Sequence, residues 1–186
     1  MEEFKITELI DGRPQGIKND KEKECYDILD KLDIKYQRVE YNFFPSDKDN
    51  LEKIDKKLQV EGIKNLIFKS KNKDEFYFII ISRNEKFDEK AFRTKYNLSK
   101  LSMAKTEDLQ RILNTSAGSV SIMELIYDEN NDIKVYMDGK IIEREYFRFH
   151  PNQNTSTIRI KMDDFRNKLM PYLKHNLKAI HLPPPF

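Results

Sequence analysis

Lys64 and Asn65 open an apolar run, Gly62-Ile63-Lys64-Asn65-Leu66-Ile67-Phe68. A lysine at the start of an apolar strand can meet a phosphate or a developing oxyanion in a partly desolvated cleft. Further on, Asn114-Thr115-Ser116-Ala117-Gly118-Ser119-Val120-Ser121 has little side-chain bulk. The backbone amides of such a loop can come close to a carbonyl or a ribose. The third stretch, Phe149-His150-Pro151-Asn152-Gln153-Asn154-Thr155, sets a histidine at a strand end before a turn of amide and hydroxyl side chains. Taken singly, each has a plainer reading: a solvated lysine, a connecting loop, and a histidine satisfied by a local hydrogen bond.

Many other chemistries lack their residues. The single cysteine, Cys25, cannot form an internal disulfide, and the three scattered histidines make no zinc-type cluster. Cys25 falls on the apolar face of a helix and reads as core; His175 and His181 have no carboxylate or hydroxyl partner at informative spacing. With 5 glycines and no GxGxxG, GxxxxGK or GxSxG, the chain lacks the phosphate-cradling loops of nucleotide enzymes and the nucleophile elbow of hydrolases. No metal and no cofactor is expected.

The elements that must position the three stretches follow from periodicity. Cys25, Ile28, Leu29 and Leu32 share one face of a helix that starts at Asp20, a candidate N-cap. Tyr36 to Tyr41 reads as a strand, and Ser46 with Asp49 as a capping-box start for a helix on Leu51, Ile54 and Leu58. Leu66 to Phe68 and Glu75 to Ser82 are strands around the turn Lys71-Asn72-Lys73-Asp74. Short helices are expected over Asp88 to Tyr96 and Thr106 to Leu113, and further strands over Ile133 to Met137, Tyr146 to Phe149 and Thr157 to Ile160. Asp163 to Leu173 is the closing helix. Strands and helices mix without strict alternation, which argues an α+β fold: a single domain with a mixed, largely antiparallel central sheet flanked by helices.

The chain of 186 residues carries a net charge of +2, unevenly spread. Residues 1–50 hold nine basic against thirteen acidic side chains, 51–100 thirteen against eight, 101–150 six against nine, and 151–186 six against two. The densest positive run is Lys64, Lys69, Lys71 and Lys73, the kind of patch that attracts a phosphate backbone. Phe76 to Ile81 is the longest unbroken apolar run, far short of the roughly 20 residues a bilayer needs. The N-terminus lacks both the basic start and the apolar stretch of a secretory signal, so a cytoplasmic location without membrane contact is expected. Residues 1–19 read as an arm, 20–175 as the functional domain, and 176–186 as a Pro-rich tail.

Taken together and in order, these residues resemble the family of prolyl-tRNA editing domains. That family includes the YbaK proteins, the insertion domain of bacterial prolyl-tRNA synthetases and free-standing Ala-tRNA(Pro) deacylases. The resemblance spans about residues 22–173. It runs from the helix and strand of Cys25 to Tyr36 through Lys64-Asn65-Leu66, Leu101-Ser102-Met103-Ala104, Gly118-Ser119-Val120-Ser121 and Phe149-His150-Pro151-Asn152. Lys-Asn at the strand start and Phe-His-Pro-Asn near the end are similar to the alanyl deacylases. One position departs: the family loop reads Gly-x-x-x-Pro, and here its last position is Ile122.

The resemblance implies hydrolysis of the ester of a mischarged tRNA(Pro), with alanine as the favoured amino acid; the rivals are a deacylase for cysteine or another small amino acid, and a non-catalytic module that senses aminoacyl-tRNA or an amino acid. Lys64, Asn65 and His150 would be catalytic: Lys64 as the cation at the terminal phosphate or carbonyl region, Asn65 orienting the aminoacyl group or the lysine, His150 lining the pocket or positioning water. Gly118, Ser119, Val120, Ser121, Ile122 and Asn152 would bind the substrate, with the amides of Gly118 and Ser119 facing the carbonyl or ribose and Asn152 bracing its turn. Lys69, Lys71, Lys73 and Arg159 would hold the tRNA, and prolyl-tRNA synthetase is an expected partner.

Overall fold

The computed structural model describes residues 2–181. Along the chain these form β1 (Ile10–Asp11), α1 (Asp20–Lys31), β2 (Tyr36–Glu40), α2 (Lys48–Leu58), β3 (Ile63–Ser70), β4 (Phe76–Ser82), α3 (Glu89–Lys95), β5 (Leu101–Met103) and α4 (Thr106–Leu113). A 3-10 helix (Ile122–Tyr127) follows, then β6 (Lys134–Asp138), α5 (Gly139–Ile142), β7 (Tyr146–Phe149) and β8 (Ser156–Lys161). The last elements are α6 (Met162–Asp164), a π-helical turn (Phe165–Leu169), α7 (Met170–Tyr172) and β9 (Leu177–Ile180).

The α+β class holds, and in place of one central sheet the strands divide between two. Each belongs to its own compact unit. One unit comprises the residues up to Gly62 together with Glu145–Leu169; the other comprises Ile63–Arg144 together with the residues from Met170 on.

In the first unit the sheet order is β1-β2-β8-β7, all antiparallel. Helix α1 starts one residue earlier than Asp20 suggests, because Asn19 is the cap and its side chain accepts the Glu22 amide at 2.8 Å. Likewise Asp47, not Ser46, caps α2 by accepting the Asn50 amide. Strict alternation sorts the sheet's two faces. Phe147, Phe149, Ile158 and Ile160 fill one face, where Phe147 stacks on Phe165 with ring centroids 4.0 Å apart and Tyr36 meets Tyr26 of α1. Val39 and Tyr41 lie on the other, buried with Ile54, Leu58 and Val60 under α2. The segment expected to be an arm preceding the core is built into this unit. Phe4, Ile6 and Leu9 pack on that second cluster, and Ile10 and Asp11 pair with Arg38 and Gln37.

In the second unit the order is β5-β3-β4-β6-β9. The expected hairpin is present: β3 and β4 pair antiparallel from Ile63↔Ser82 to Lys69↔Phe76. Strand β4 is buried along its whole length because β6 adds to it in parallel, and β9 adds in parallel to β6. Part of the expected Pro-rich tail is therefore an edge strand of the sheet; Leu182 to Phe186 lie outside the described residues. One face carries Leu66, Phe68, Tyr77, Ile79, Ile81, Tyr136 and Ile180, packed against Phe92 of α3. The opposite face carries Lys69 and Phe76, which meet Asp108 and Arg111 of α4. Among the described residues no helix is long and apolar enough to cross a membrane.

Candidate active site

Strand β3 carries Lys64 and Asn65 at its beginning, where only β4 flanks it, since β5 pairs no further along than Phe68 to Ser70. Consecutive strand residues point to opposite faces. Lys64 shares the face of Leu66 and Phe68, whereas Asn65 shares that of Ile67 and Lys69. The two expected catalytic neighbours therefore do not converge on one wall. The half-buried Lys64 donates its ammonium to the carbonyl of Glu85, in the turn that follows β4. Asn65 donates Nδ2 to the Val120 carbonyl at 2.9 Å, and its Oδ1 is buried with no hydrogen-bond partner. That bond joins the Lys-Asn strand start to the small-residue loop, two of the three stretches singled out in the sequence.

The loop's own geometry explains much of its composition. Asn114 ends α4 in the left-handed region at φ 51°, and Gly118 takes φ 82° with nothing within 4 Å of the place a Cβ would occupy. Gly118 is thus open to an approaching group. The Ser119 amide is not, because it donates to the Ser116 carbonyl at 3.1 Å. Ser121 is fully buried and starts the 3-10 helix: its hydroxyl accepts the Met123 amide, and its own amide donates to Glu124 at 3.0 Å. Ser119 and Ser121, both expected to bind substrate, engage their amides in bonds within the loop and its cap.

Ile122 occupies the first position of that 3-10 helix and is fully buried. The first helical residue needs no intrahelical partner for its N–H, which is why proline fits there. Isoleucine satisfies the same backbone requirement, and the reciprocal Ser121–Glu124 cap supplies the stiffness a proline ring would bring.

His150 and Asn152 belong to the first unit, just past β7. The turn they occupy is tied to the start of α1. Asn152, at φ 56°, donates Nδ2 to the Lys21 carbonyl at 3.4 Å; Asn19 donates to Gln153 at 3.3 Å, and Lys18 to the Thr155 hydroxyl at 2.6 Å. Asn152 thus braces its turn, and residues of the expected arm help to hold it.

The residues expected to hold a polyanion separate sharply. Lys71 and Lys73 are exposed on the β3–β4 turn. Lys69 is spent on Asp108 at 2.7 Å and Asp74 at 3.3 Å, and the Asp108 hydrogen bond leads in holding its ammonium above the ordinary lysine value. Arg159 corrects the expectation most clearly. It is only 6% exposed, and its guanidinium donates to the Leu58 carbonyl at 2.6 Å and to Gln37 and Gln59, with the Tyr146 ring 4.2 Å away. It closes the C-terminus of α2 rather than facing solvent.

Outside the expected residues, His175 is a buried structural histidine, with Nε2 2.8 Å from Asp128 Oδ2 and Nδ1 against the Leu173 carbonyl. Sequence reasoning passed over Glu85, whose carbonyl holds Lys64; its place in a tight turn directly after the most apolar strand was the available signal. Among the described residues no group of three or more His, Cys, Asp or Glu is placed to hold a metal ion.

Comparison with known proteins decides the family. The model of the aminoacyl-tRNA editing domain matches residues 46–168, about two thirds of the chain. The chain belongs to the aminoacyl-tRNA editing domain family. Its reaction class is the hydrolysis of mischarged aminoacyl-tRNA. Among similar proteins is the prolyl-tRNA editing protein ProX of Acetoanaerobium sticklandii, 29% identical over 154 residues, covering 83% of this chain and 93% of that one. A solved structure described as a candidate trans-editing enzyme for prolyl tRNA synthetase matches 90% of this chain and 100% of its own at TM-score 0.60 and 13% identity. A scaffold used for epitope grafting by computational design matches 90% and 99% at TM-score 0.63 and 10% identity. At such identities these two structures show that the fold is shared.

Proposed function

We propose that this editing-family protein acts in trans on mischarged tRNA(Pro), hydrolysing the ester between alanine and the 3′-terminal adenosine. The observation that carries the reading is the Asn65–Val120 hydrogen bond, which fixes the Lys64-Asn65 strand start to the loop around the open Gly118. Kinship with the prolyl-tRNA editing protein of Acetoanaerobium sticklandii supports tRNA(Pro) as the carrier.

An aminoacyl ester is already activated, so the protein has mainly to bind, orient and stabilise charge. Lys64, on the other face of β3, supplies the cation for the terminal phosphate and leaves the aminoacyl end to Asn65 and Gly118. Asn65 holds the loop with Nδ2 and keeps Oδ1 for the aminoacyl group, whose ammonium is a donor of the right kind. Gly118 admits the substrate backbone closely because it has no side chain. The described side chains supply no strong general base here, and the ribose hydroxyl next to the ester assists the attacking water. Selectivity follows from size, since overpacking a pocket with proline costs more than leaving a void beside alanine.

The exposed Lys71 and Lys73 hold the tRNA, prolyl-tRNA synthetase delivers it, and the cytoplasm is where both are met. A deacylation time course on Ala-, Cys- and Pro-tRNA(Pro), with wild type and Lys64→Ala in parallel, tests the reading. Loss of alanine alone, abolished by the substitution with an unchanged circular dichroism spectrum, is the expected result. Loss of cysteine alone moves the substrate assignment, and near-normal turnover by Lys64→Ala removes the lysine from the mechanism.

A further inference from the structure

Backbone hydrogen bonds on the two sides of β3 fix which way each of its main-chain groups turns. Toward β4, the Ser70 amide donates to the Glu75 carbonyl at 2.9 Å. Toward β5, the Ile67 carbonyl accepts the Ala104 amide at 2.8 Å, and the Lys71 amide donates to the Lys100 carbonyl at 2.9 Å. In an antiparallel ladder a residue aims its N–H and C=O to the same side, and successive residues alternate. Lys64, Leu66 and Phe68 therefore bond to β4, whereas Ile63 and Asn65 turn both main-chain groups away from it.

On that outer side β5 pairs only with Phe68 to Ser70. Carried on, the same register sets Thr106 opposite Asn65, but Thr106 is the first residue of α4 and the chain has left the sheet. Among the described residues, the main-chain N–H and C=O of Asn65 have no hydrogen-bond partner. Asn65 is half-buried, and its Oδ1 is buried and unpaired as well. Backbone groups in such a position are ordinarily paired, so a donor and an acceptor left open side by side, next to an unsatisfied side-chain oxygen, make a place for a ligand.

The complement of that pair is a single amino-acid residue: an amine that donates and, across one carbon, a carbonyl that accepts. An aminoacyl ester carries both. We propose that the aminoacyl group of the substrate pairs with the main chain of Asn65 as a one-residue antiparallel bridge, its ammonium donating to the Asn65 carbonyl and its ester carbonyl accepting from the Asn65 amide. This rests on the editing reading and deepens it by assigning the groups that hold the reacting end.

A second ammonium proton is left for Asn65 Oδ1. As water adds to the ester carbon, negative charge gathers on the carbonyl oxygen, where the Asn65 amide stabilises it. Residues directly opposite in an antiparallel ladder put their side chains on the same face. An L-aminoacyl group thus turns its side chain to the face of Asn65, where Nδ2 ties the Val120 loop. A D-aminoacyl group in the same two bonds turns it to the face of Lys64. The antiparallel direction sends the ester toward Ile63, whose N–H and C=O are the next outward pair.

Asn65→Ala and Asn65→Pro both remove the side chain, and only proline also removes the amide N–H. Because that N–H takes no part in the β4 ladder, proline breaks no strand bond there. Single-turnover deacylation of Ala-tRNA(Pro) is compared for the two variants, with circular dichroism as the check on folding. Independently, amide hydrogen exchange of the wild type is followed alone and with saturating 3′-amide-linked L-alanyl and D-alanyl analogues of aminoacyl adenosine, which have no ester to hydrolyse.

Asn65→Pro is expected to react about 100-fold more slowly than Asn65→Ala, the cost of losing one donor to a developing oxyanion. In the free protein the Asn65 amide should exchange faster than those of Lys64 and Leu66, and the L-alanyl analogue should slow it about 10-fold or more while the D-alanyl analogue leaves it unchanged. Equal rates for the two folded variants overturn the proposal. So does an L-alanyl analogue that binds and leaves the Asn65 amide unprotected, a result that decides alone if Asn65→Pro does not fold. A wild type that hydrolyses no ester while the L-alanyl analogue protects Asn65 defeats the editing reading and leaves the bridge standing as an aminoacyl-binding site.

Discussion

Replacing Arg159 by alanine separates a residue that looks like a tRNA contact from one that acts as a structural clamp. Arg159 donates to the Leu58 carbonyl at 2.6 Å, to Gln59 at 3.1 Å and twice to Gln37, at 2.9 and 2.6 Å, and it lies 4.2 Å from the Tyr146 ring centroid. A hydrogen bond from a charged donor contributes about 1.5–3 kcal/mol, and a cation–π contact about 1 kcal/mol. These contacts share one side chain and do not add, so Arg159→Ala should cost about 3 kcal/mol in all. For a chain of this length that corresponds to a fall in Tm of roughly 6–12 °C. Arg159→Lys should recover only a part, because an ammonium cannot span the carbonyl and the two amide side chains as the planar fork does.

The assay pairs thermal and urea unfolding, followed by circular dichroism, with tRNA binding as a function of salt at a temperature where both proteins are folded. A clamp changes the first and leaves the slope of log K against log salt unchanged. A phosphate contact does the reverse, lowering the slope by about 0.9. A variant as stable as the wild type with a reduced salt slope would refute the structural assignment and return Arg159 to the tRNA surface.

The exposed pair on the β3–β4 turn should behave in the opposite way: Lys71→Ala with Lys73→Ala should change stability by less than about 0.5 kcal/mol while reducing the salt slope of tRNA binding by about 1.8. An unchanged slope removes both from the interface. Asn65→Asp replaces the donor to the Val120 carbonyl by an acceptor and should lower kcat/KM at least as much as Asn65→Ala, on the order of 10- to 100-fold; wild-type kinetics for the Asp variant would show that the bond does not hold the loop in its working position. Burial pushes the Asp128 carboxyl up, but the His175 hydrogen bond and the amides of Ile133 and Asp132 outweigh it and hold the carboxyl below the ordinary aspartate value. A depressed folded value contributes stability above the unfolded value near about 3.9 and loses it as pH falls through the folded one. His175→Ala should therefore move the acid-unfolding midpoint to higher pH, and an unmoved midpoint in a circular dichroism titration excludes the pair as a determinant.

Elements with their own periodicity were legible in the sequence. Cys25, Ile28 and Leu29 do form the buried face of α1, and the runs around Lys71 to Asp74 do pair as a hairpin. What escaped was held by partners rather than by pattern. β1 and β5 are two and three residues long, too short to show alternation, and they exist because β2 and β3 offer them an edge. β9 hides beside a proline cluster and is ordered by its parallel pairing with β6. The division into two sheets was equally hidden, since strand order is a property of pairing and each strand's own residues are compatible with either sheet.

The same distinction governs the site. Gly118, Asn65 and Asn152 were recognisable because backbone freedom and amide chemistry reside in the residue itself, and each does take a position that uses them. Arg159 was misread because a basic side chain in a basic segment looks like a surface charge until the neighbouring strand and helix end are known. Alternation within β3 had a consequence that adjacency concealed: Lys64 and Asn65 are neighbours in the chain and face opposite sides of the sheet. Lys64 is instead bonded to the Glu85 carbonyl in the turn after β4, brought near by the antiparallel pairing of β3 with β4, and no local spacing announces that relation. The placement of Lys64 thus depends on the turn in which its partner strand ends.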